Sequence, residues 1–260
     1  MLIPSPTKTR VLDRQNLPFS CGAGKSYKMN EAFYQEKFAT KQYGSDAYDV
    51  KSLLPFLHLQ PGFNYLEVGV GTGCFLHDFV KTAGVRPGRI CAADLDNNLQ
   101  VTETELAVPL EFERITLGEK PLPYASHVFD VVVCNHVLEH IFETETALRE
   151  LLRVTAQNGL CVVSVPNVAN WWSRFTLLFC GELPLGLETG TESGTDGLTS
   201  YLRHRFDGCK PSGHIRGFTP RALRDICGRC GFQFVGWWNQ NFGWRNKLLQ
   251  PKMGIVLRKK

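Results

Sequence analysis

The sequence lacks any run of about 18 consecutive apolar residues, the length a membrane-crossing helix needs, so no span is expected. Its first residues, Met1-Leu2-Ile3-Pro4-Ser5-Pro6, lack the basic start and apolar stretch of a secretory signal. Charge of one sign is also nearly absent: 29 Lys and Arg against 25 Asp and Glu leave +4 over 260 residues, too little for a dedicated nucleic-acid binder. There is no internal repeat, no low-complexity tract and no break in composition that argues for two folded domains. Cysteine is present, but as nine residues scattered through apolar runs, as at Cys74, Cys91, Cys134 and Cys161. An odd count without a signal excludes a disulfide framework and reads as reduced thiols in the cytoplasm. Cys21-Gly22-Ala23-Gly24-Lys25-Ser26 imitates a phosphate loop, yet Phe19 stands where the first glycine belongs and no strand precedes it.

What the chain has is alternation. Residues 1–28 are rich in Pro, Ser, Thr, Lys and Arg and read as an arm; residues 29–260 read as one domain. Phe33, Tyr34, Phe38, Tyr48, Leu53, Leu54 and Leu57 recur at helical spacing, which predicts one or two helices between Glu31 and Leu59. Strands are then expected at Tyr65–Val68, Arg89–Ala93, Leu110–Ile115, Phe129–Cys134 and Leu160–Val165. Helices are expected at Cys74–Thr82, Asn97–Val108 and Ile141–Val154. Thr219-Pro220 starts a last helix to Cys230, with two strands after it, Phe232–Trp237 and Met253–Arg258. The implied fold is α/β: a doubly wound, Rossmann-like, seven-stranded, mostly parallel sheet with helices on both faces. Residues 167–217 interrupt the alternation after the fifth strand and read as an inserted substrate cap. They hold the aromatic stretch around Trp171, Trp172, Phe175 and Phe179 and the basic run Arg203, His204, Arg205, Lys210, His214 and Arg216.

The first strand runs into Leu66-Glu67-Val68-Gly69-Val70-Gly71-Thr72-Gly73. Glycines at Gly69, Gly71 and Gly73 allow positive φ and leave no Cβ between backbone and ligand. A dinucleotide fingerprint needs a third glycine or alanine where Cys74 or Leu76 stands, so a diphosphate is disfavoured. Glu67, inside the apolar run, needs a polar partner. Asp94 closes the second strand twenty-one residues past Gly73 (94 − 73 = 21), with Leu95 beside it. An acidic side chain there meets the ribose hydroxyls of a nucleotide held at the first turn, the other reading being a helix cap.

An acidic residue followed by G-x-G-x-G resembles the first motif of the class I S-adenosylmethionine-dependent methyltransferases. Leu122-Pro123-Tyr124 followed by Phe129-Asp130-Val131-Val132 and Val137-Leu138-Glu139-His140-Ile141 resembles the small-molecule branch of that family. So does His214-Ile215-Arg216-Gly217-Phe218-Thr219-Pro220. The resemblance implies S-adenosylmethionine as cofactor, its amino-acid end held by Gly69, Val70, Gly71 and Gly73, with Glu67 supporting the turn and the ammonium group. It implies backbone near Asn135 and His136 beside the methionine part. It implies an Asp beside the adenine at a position where this chain has Gly118, which leaves Glu119 or backbone near Leu117 as substitutes. His136 is a candidate general base for a hydroxyl acceptor, while His140 and Glu139 read as structural.

Some relatives in that family carry Glu-x-x-Glu-His here and bind magnesium. His136 replaces the first Glu and magnesium prefers oxygen, so no metal is assigned. A zinc site from Cys209, His214, Cys227 and Cys230 lacks paired spacing, and Cys227 and Cys230 fit the apolar side of a helix. The expected activity is methyl transfer to a small-molecule acceptor, a hydroxyl oxygen of a sugar, lipid or secondary metabolite. Nitrogen and carbon remain open, although the Asn/Asp-Pro-Pro-Tyr signature of adenine amino-methylation is absent after the fourth strand. Two other classes stay open. One is an RNA-modifying methyltransferase using Arg203, Arg205 and Arg216; the other is a non-catalytic cofactor-binding scaffold.

Overall fold

A computed structural model describes residues 50–184, 187, 213–238 and 250–259. The arm at 1–28, the helices expected before Val50, the phosphate-loop look-alike and Arg203, His204, Arg205, Cys209 and Lys210 lie outside the described residues.

Seven strands form one sheet: β1 (Asn64–Val68), β2 (Arg89–Asp94), β3 (Leu110–Arg114), β4 (Phe129–Asn135), β5 (Thr155–Pro166), β6 (Phe232–Trp238) and β7 (Lys252–Lys259). Their order is β3-β2-β1-β4-β5-β7-β6. The first five run parallel, and β7 alone is reversed, pairing antiparallel with β5 and β6. The expected doubly wound, mostly parallel sheet is therefore present. Its direction of winding reverses between β1 and β4, the topological switch where such sheets open a crevice beyond their carboxyl ends.

Alternation of side chains along each strand builds two cores. Leu66, Val68, Cys91, Ala93, Val132, Cys134, Cys161 and Val163 point to one face, where α3 (Thr144–Val154) adds Ala147, Leu148, Leu151 and Val154 and α5 (Pro220–Arg229) adds Leu223 and Cys227. Tyr65, Ile90, Ala92, Val131, Val133 and Val162 point to the other, against Phe75, Leu76 and Phe79 of α1 (Cys74–Thr82) and Leu106 of α2 (Glu103–Leu106). Each fully buried Leu or Phe contributes about 1.5–3 kcal/mol, so three such residues outweigh the marginal intrinsic stability of a nine-residue helix such as α1. Cys91, Cys134, Cys161 and Cys227 are buried free thiols, as expected of small hydrophobes, and burial pushes the Cys91 and Cys227 thiols up to about 12.

Two expected helices differ. Asn97–Val108 was expected as one helix, but only Glu103–Leu106 is helical. Thr102 caps it in a reciprocal capping box with Glu105, Ala107 ends it at φ 55°, and the Leu99 amide donates to Asn97 Oδ1 in a local turn instead. Ile141–Val154 begins only at Thr144, because Leu138–His140 forms a separate 3₁₀ turn. Ahead of β1, Val50–Ser52 and Leu54–Phe56 are 3₁₀ turns, the second opening on Pro55. Within the interruption after β5, α4 (Trp171–Cys180) is capped by Asn170, which accepts from the Ser173 amide. It buries small polar Ser173 and Thr176 while Trp171, Phe175, Leu177, Leu178 and Phe179 are exposed.

Candidate active site

The carboxyl ends of β1, β2 and β4 converge at the switch point, and the turn after β1 is shaped by its glycines. Gly69, Gly71 and Gly73 all have positive φ, at 78°, 53° and 84°. Their surroundings differ. A Cβ on Gly69 would sit 2.1 Å from Val137 Cγ2, and one on Gly73 2.8 Å from Val101 Cγ2, whereas nothing lies within 4 Å of a Cβ on Gly71. Gly69 and Gly73 are thus required by packing, and Gly71 faces open space. Val70 is buried behind the turn.

Asp94 holds this turn. Its Oδ2 accepts from the Gly71 amide at 2.7 Å and its Oδ1 from the Leu95 amide at 2.7 Å. Burial raises its pKa, against the lowering effect of the two backbone hydrogen bonds. Each carboxylate oxygen retains a second lone pair, so the geometry is compatible with ribose hydroxyls while the amides stay bound. The cap alternative takes a different form here: Asp94 bonds the amide next to it and the glycine turn, not the start of a helix. The Gln100 amide donates to Thr72 O and ties the following loop to the same turn.

Glu67 is 2% exposed and its Oε2 accepts from the Tyr65 hydroxyl at 2.8 Å. That is the polar partner its place in an apolar strand required. Burial pushes the Glu67 carboxyl up to about 8; the Tyr65 bond opposes this and the nearby Asp94 adds to it. A protonated carboxyl near neutral pH suits a dry strand, and a cationic group brought to it would favour the ionised form.

The loop after β4 lies against the glycine turn through Val137. Asn135 is buried, its Oδ1 accepting from Ser164 Oγ at 2.8 Å, and its Nδ2 has no hydrogen-bond partner among the described residues. His136 follows at φ 54°, strained for a residue with a Cβ, its amide donating to Ser164 O at 2.9 Å. Its Nδ1 lies 3.2 Å from Oε1 of Glu139, a side chain 1% exposed. Burial raises the Glu139 pKa, but the His136 hydrogen bond and the imidazoles of His136 and His140 outweigh it and leave the carboxyl below its ordinary value. Glu139 lies in the 3₁₀ turn Leu138–His140, and its main-chain carbonyl accepts from the amides of Ile215 and Arg216 at 2.8 and 3.1 Å.

Two segments that resemble the same family 74 positions apart (214 − 140 = 74) are thereby docked together. His140 Nδ1 lies 3.1 Å from Gly213 O, the rings of His140 and His214 are 4.9 Å apart, and Arg216 Nη2 donates to Phe142 O at 2.8 Å. Sequence reasoning placed His214 with the cap and missed this pairing. Its only signal was that both segments matched one family.

Glu119 is exposed, and its amide closes a turn on Thr116 O. Gly118 is buried at φ 93°, and a Cβ there would meet Ile141 Cγ2 at 3.0 Å. No carboxylate could occupy that position without displacing Ile141. The Leu122-Pro123-Tyr124 stretch is fixed from α3, where Arg153 donates to the carbonyls of Leu122 and Tyr124 and Glu150 accepts from the Leu122 amide. Cys227 and Cys230 both lie in the sheet-facing core of α5, so a zinc site drawing on them has no support.

The comparisons agree with this fold. Residues 66–163 match a family model described as a methyltransferase domain. Residues 66–163 thus form a methyltransferase domain, similar to those of S-adenosylmethionine-dependent methyltransferases. A demethylmenaquinone methyltransferase of Mycolicibacterium paratuberculosis is 30% identical over 130 residues, 48% of this chain and 53% of that protein. A probable S-adenosylmethionine-dependent methyltransferase of Mycobacterium tuberculosis is 31% identical over 137 residues, 53% of this chain and 46% of that protein. The chain thus spans about half the length of the curated relatives it matches. Among solved structures, the Burkholderia thailandensis 1,6-didemethyltoxoflavin-N1-methyltransferase, with bound 1,6-didemethyltoxoflavin and S-adenosylhomocysteine, superposes with TM-score 0.59 at 14% identity. The match covers 96% of this chain and 98% of that one, and it speaks for the fold. Among the described residues no helix is long and apolar enough to cross a membrane.

Proposed function

We propose that this protein transfers the sulfonium methyl group of S-adenosylmethionine to a small molecule whose acceptor atom becomes nucleophilic by losing a proton. The observation that carries this reading is the juxtaposition, at one switch point, of an open glycine turn pinned by Asp94 and a His136–Glu139 pair. Gly69, Val70, Gly71 and Gly73 would hold the cofactor's amino-acid end and Glu67 its ammonium. Asp94 and Leu95 would hold its ribose, and Asn135 and His136 would lie beside the methionine part.

Chemically, the reaction needs little from the protein beyond alignment, because the methyl carbon already carries a neutral thioether as leaving group. The acceptor's lone pair forms the new bond as the carbon–sulfur bond breaks, and the acceptor's proton must leave. Ionised Glu139 accepts from His136 Nδ1–H, which leaves Nε2 with its lone pair to take that proton. A hydroxyl oxygen, the acceptor expected from sequence, fits this base. The names of the menaquinone relatives favour a second reading, an activated ring carbon beside an ionised hydroxyl, which needs the same base. The exposed aromatic face of α4 would supply an apolar wall for either. Of the three arginines that an RNA reading would use, Arg216 is the one among the described residues, and its Nη2 donates to the Phe142 carbonyl. The free, buried thiols fit a cytoplasmic setting.

Calorimetry with S-adenosylmethionine tests the reading, with Asp94→Ala as control: no binding by the parent chain would sink it. Profiling of cell extract with labelled cofactor then identifies the acceptor. Tight cofactor binding with no labelled product would favour the scaffold alternative.

A further inference from the structure

The helix after β5 has its amphipathic pattern reversed. Ser173 and Thr176 of α4 are buried, and their polar atoms are satisfied locally: Ser173 Oγ accepts from Asn170 Nδ2 at 2.8 Å and Thr176 Oγ1 donates to Ser173 O at 3.4 Å. Trp171, Phe175, Leu178 and Phe179, spaced i, i+4, i+7 and i+8, share the outward side, with Leu178 75% and Phe179 70% exposed. The rings run as a strip through Trp172, with centroids 5.5 Å apart for Trp171 and Trp172, 6.0 Å for Trp172 and Phe175 and 5.0 Å for Phe175 and Phe179. Apolar surface left in water on this scale costs free energy until something covers it.

Polar contacts ahead of the helix, not that apolar side, hold α4 to the rest of the fold. The Asn167 amide donates to Pro251 O at 2.8 Å, Asn167 Nδ2 to Gln250 O at 2.9 Å, and the Val168 amide to Phe218 O at 3.0 Å. Arg174 Nε donates to Ala169 O at 2.7 Å, and the rest of that side chain is exposed. α4 starts five residues past the end of β5 (171 − 166 = 5), a strand parallel to β4. It therefore leaves the sheet on the side where the carboxyl ends open the crevice.

Area and charge decide between coverings. At about 100 Å² from each of Trp171, Phe175, Leu177, Leu178 and Phe179, the surface offers about 500 Å², short of the roughly 800 Å² per partner that a stable dimer buries. From Trp171 to Cys180 the only charge is Arg174, so a second copy would bring two arginines to one apolar contact with no acid on either α4 to pair with them. An anionic lipid surface suits both features: it takes Trp, Phe and Leu side chains into the headgroup boundary and offers phosphates to a flanking cation. No helix among the described residues can cross a membrane, so such contact lies in the plane of the surface. We propose that α4 docks the protein on a bilayer carrying anionic lipids, with Trp171, Phe175, Leu178 and Phe179 entering the headgroup layer and Arg174 meeting a lipid phosphate. The glycine turn and His136 contribute nothing to it, so docking stands or falls apart from methyl transfer. One consequence rests on the methyl-transfer reading: an acceptor dissolved in the bilayer would reach the crevice without crossing water.

The test is co-sedimentation of the full chain, without cofactor, with vesicles of phosphatidylcholine alone or of an equal mixture of phosphatidylcholine and phosphatidylglycerol. The parent should bind the mixed vesicles, and should bind them more weakly at high salt. Leu178→Asp and Phe179→Asp should each weaken partition by at least about tenfold, and Arg174→Gln should weaken it by about fivefold on the mixed vesicles only. Both apolar positions are exposed, so these variants should melt like the parent. Parent binding to vesicles with no affinity for S-adenosylhomocysteine would refute the cofactor reading alone and still support docking. The proposal is overturned if the parent binds neither vesicle, or if folded Leu178→Asp binds the mixed vesicles as tightly as the parent. A parent dimer in light scattering that Leu178→Asp separates would also overturn it, by giving this surface to a second copy.

Discussion

The raised pKa of Glu67 makes cofactor binding depend on pH in a way that one substitution should erase. With its carboxyl pushed up to about 8 by burial, Glu67 is protonated in the empty protein at pH 6–7. If it meets the ammonium of the cofactor, it binds as the carboxylate, so a proton must leave first. The apparent Kd is then multiplied by 1 + 10^(8 − pH), which is about 2 at pH 8, about 11 at pH 7 and about 100 at pH 6. Between pH 6 and 7 an α-amino group stays protonated, so the roughly ninefold change there belongs to the protein, an effect of about 1.3 kcal/mol. Calorimetry with S-adenosylhomocysteine in two buffers of different ionisation enthalpy reads both the affinity and the proton, and about one proton should be released per ligand. Glu67→Gln keeps an acceptor for the Tyr65 hydroxyl and should bind with no slope over that range. The sign also appears in stability. A folded pKa raised above the unfolded value of 4.5 means Glu67 costs the empty protein stability as pH rises from about 4.5 to 8, and Glu67→Gln should flatten that loss. A parent Kd that is flat between pH 6 and 7, or an equal slope in Glu67→Gln, would refute the pairing of Glu67 with the ammonium.

The two glycines of the turn should separate fold from ligand. Gly69→Ala meets Val137 at 2.1 Å and a φ of 78°, and is expected to cost about 2–4 kcal/mol in urea unfolding. Gly71→Ala meets nothing and carries only its backbone strain of about 1–2 kcal/mol. It should melt near the parent yet lose cofactor affinity by at least tenfold in calorimetry, and normal affinity would place the ligand elsewhere. His136→Asn should lower kcat by about 10²–10⁴, far more than it changes cofactor Kd, once an acceptor is in hand; an unaltered kcat would remove His136 as base. Thr219→Ala removes the oxygen that accepts from the Ala222 amide at the start of α5, and should lower stability by about 1 kcal/mol in thermal unfolding without touching cofactor binding.

What could be read from the chain and what could not follow from the range of the forces involved. The β4 strand was legible because Val131, Val132, Val133 and Cys134 are apolar on both faces, which only a strand sandwiched between helix layers requires. α1 was legible to the residue, since Gly73 ends the turn and Phe75, Leu76 and Phe79 form its buried stripe. The expected helix at Asn97–Val108 was not, because local polar chemistry decides there. Asn97 and Thr102 offer the backbone alternative partners, and Gln100 is drawn to Thr72, twenty-eight residues earlier (100 − 72 = 28).

The site divides in the same way. Gly69, Gly71, Gly73 and Asp94 lie at the ends of adjacent strands, so their meeting follows once the strand order is inferred from alternation. The meeting of His140 with Gly213 and His214 follows from no periodicity. It is made by backbone bonds from Ile215 and Arg216 to the Glu139 carbonyl, between a 3₁₀ turn and a segment without regular structure. Apolar periodicity is blind to such a contact, and residue type alone could only sort Glu139 and His140 as structural and His214 as part of the cap. The position of Gly118 shows the opposite limit. The resemblance implies a carboxylate near the adenine there, but the chain packs Ile141 and the Glu143 carbonyl against that backbone, so in the proposed reading adenine recognition would fall to Glu119 or to main-chain amides. Exposed Glu119→Ala therefore discriminates: a drop in affinity for S-adenosylhomocysteine assigns the adenine contact to that side chain, and unchanged affinity assigns it to the backbone of the turn between Thr116 and Glu119.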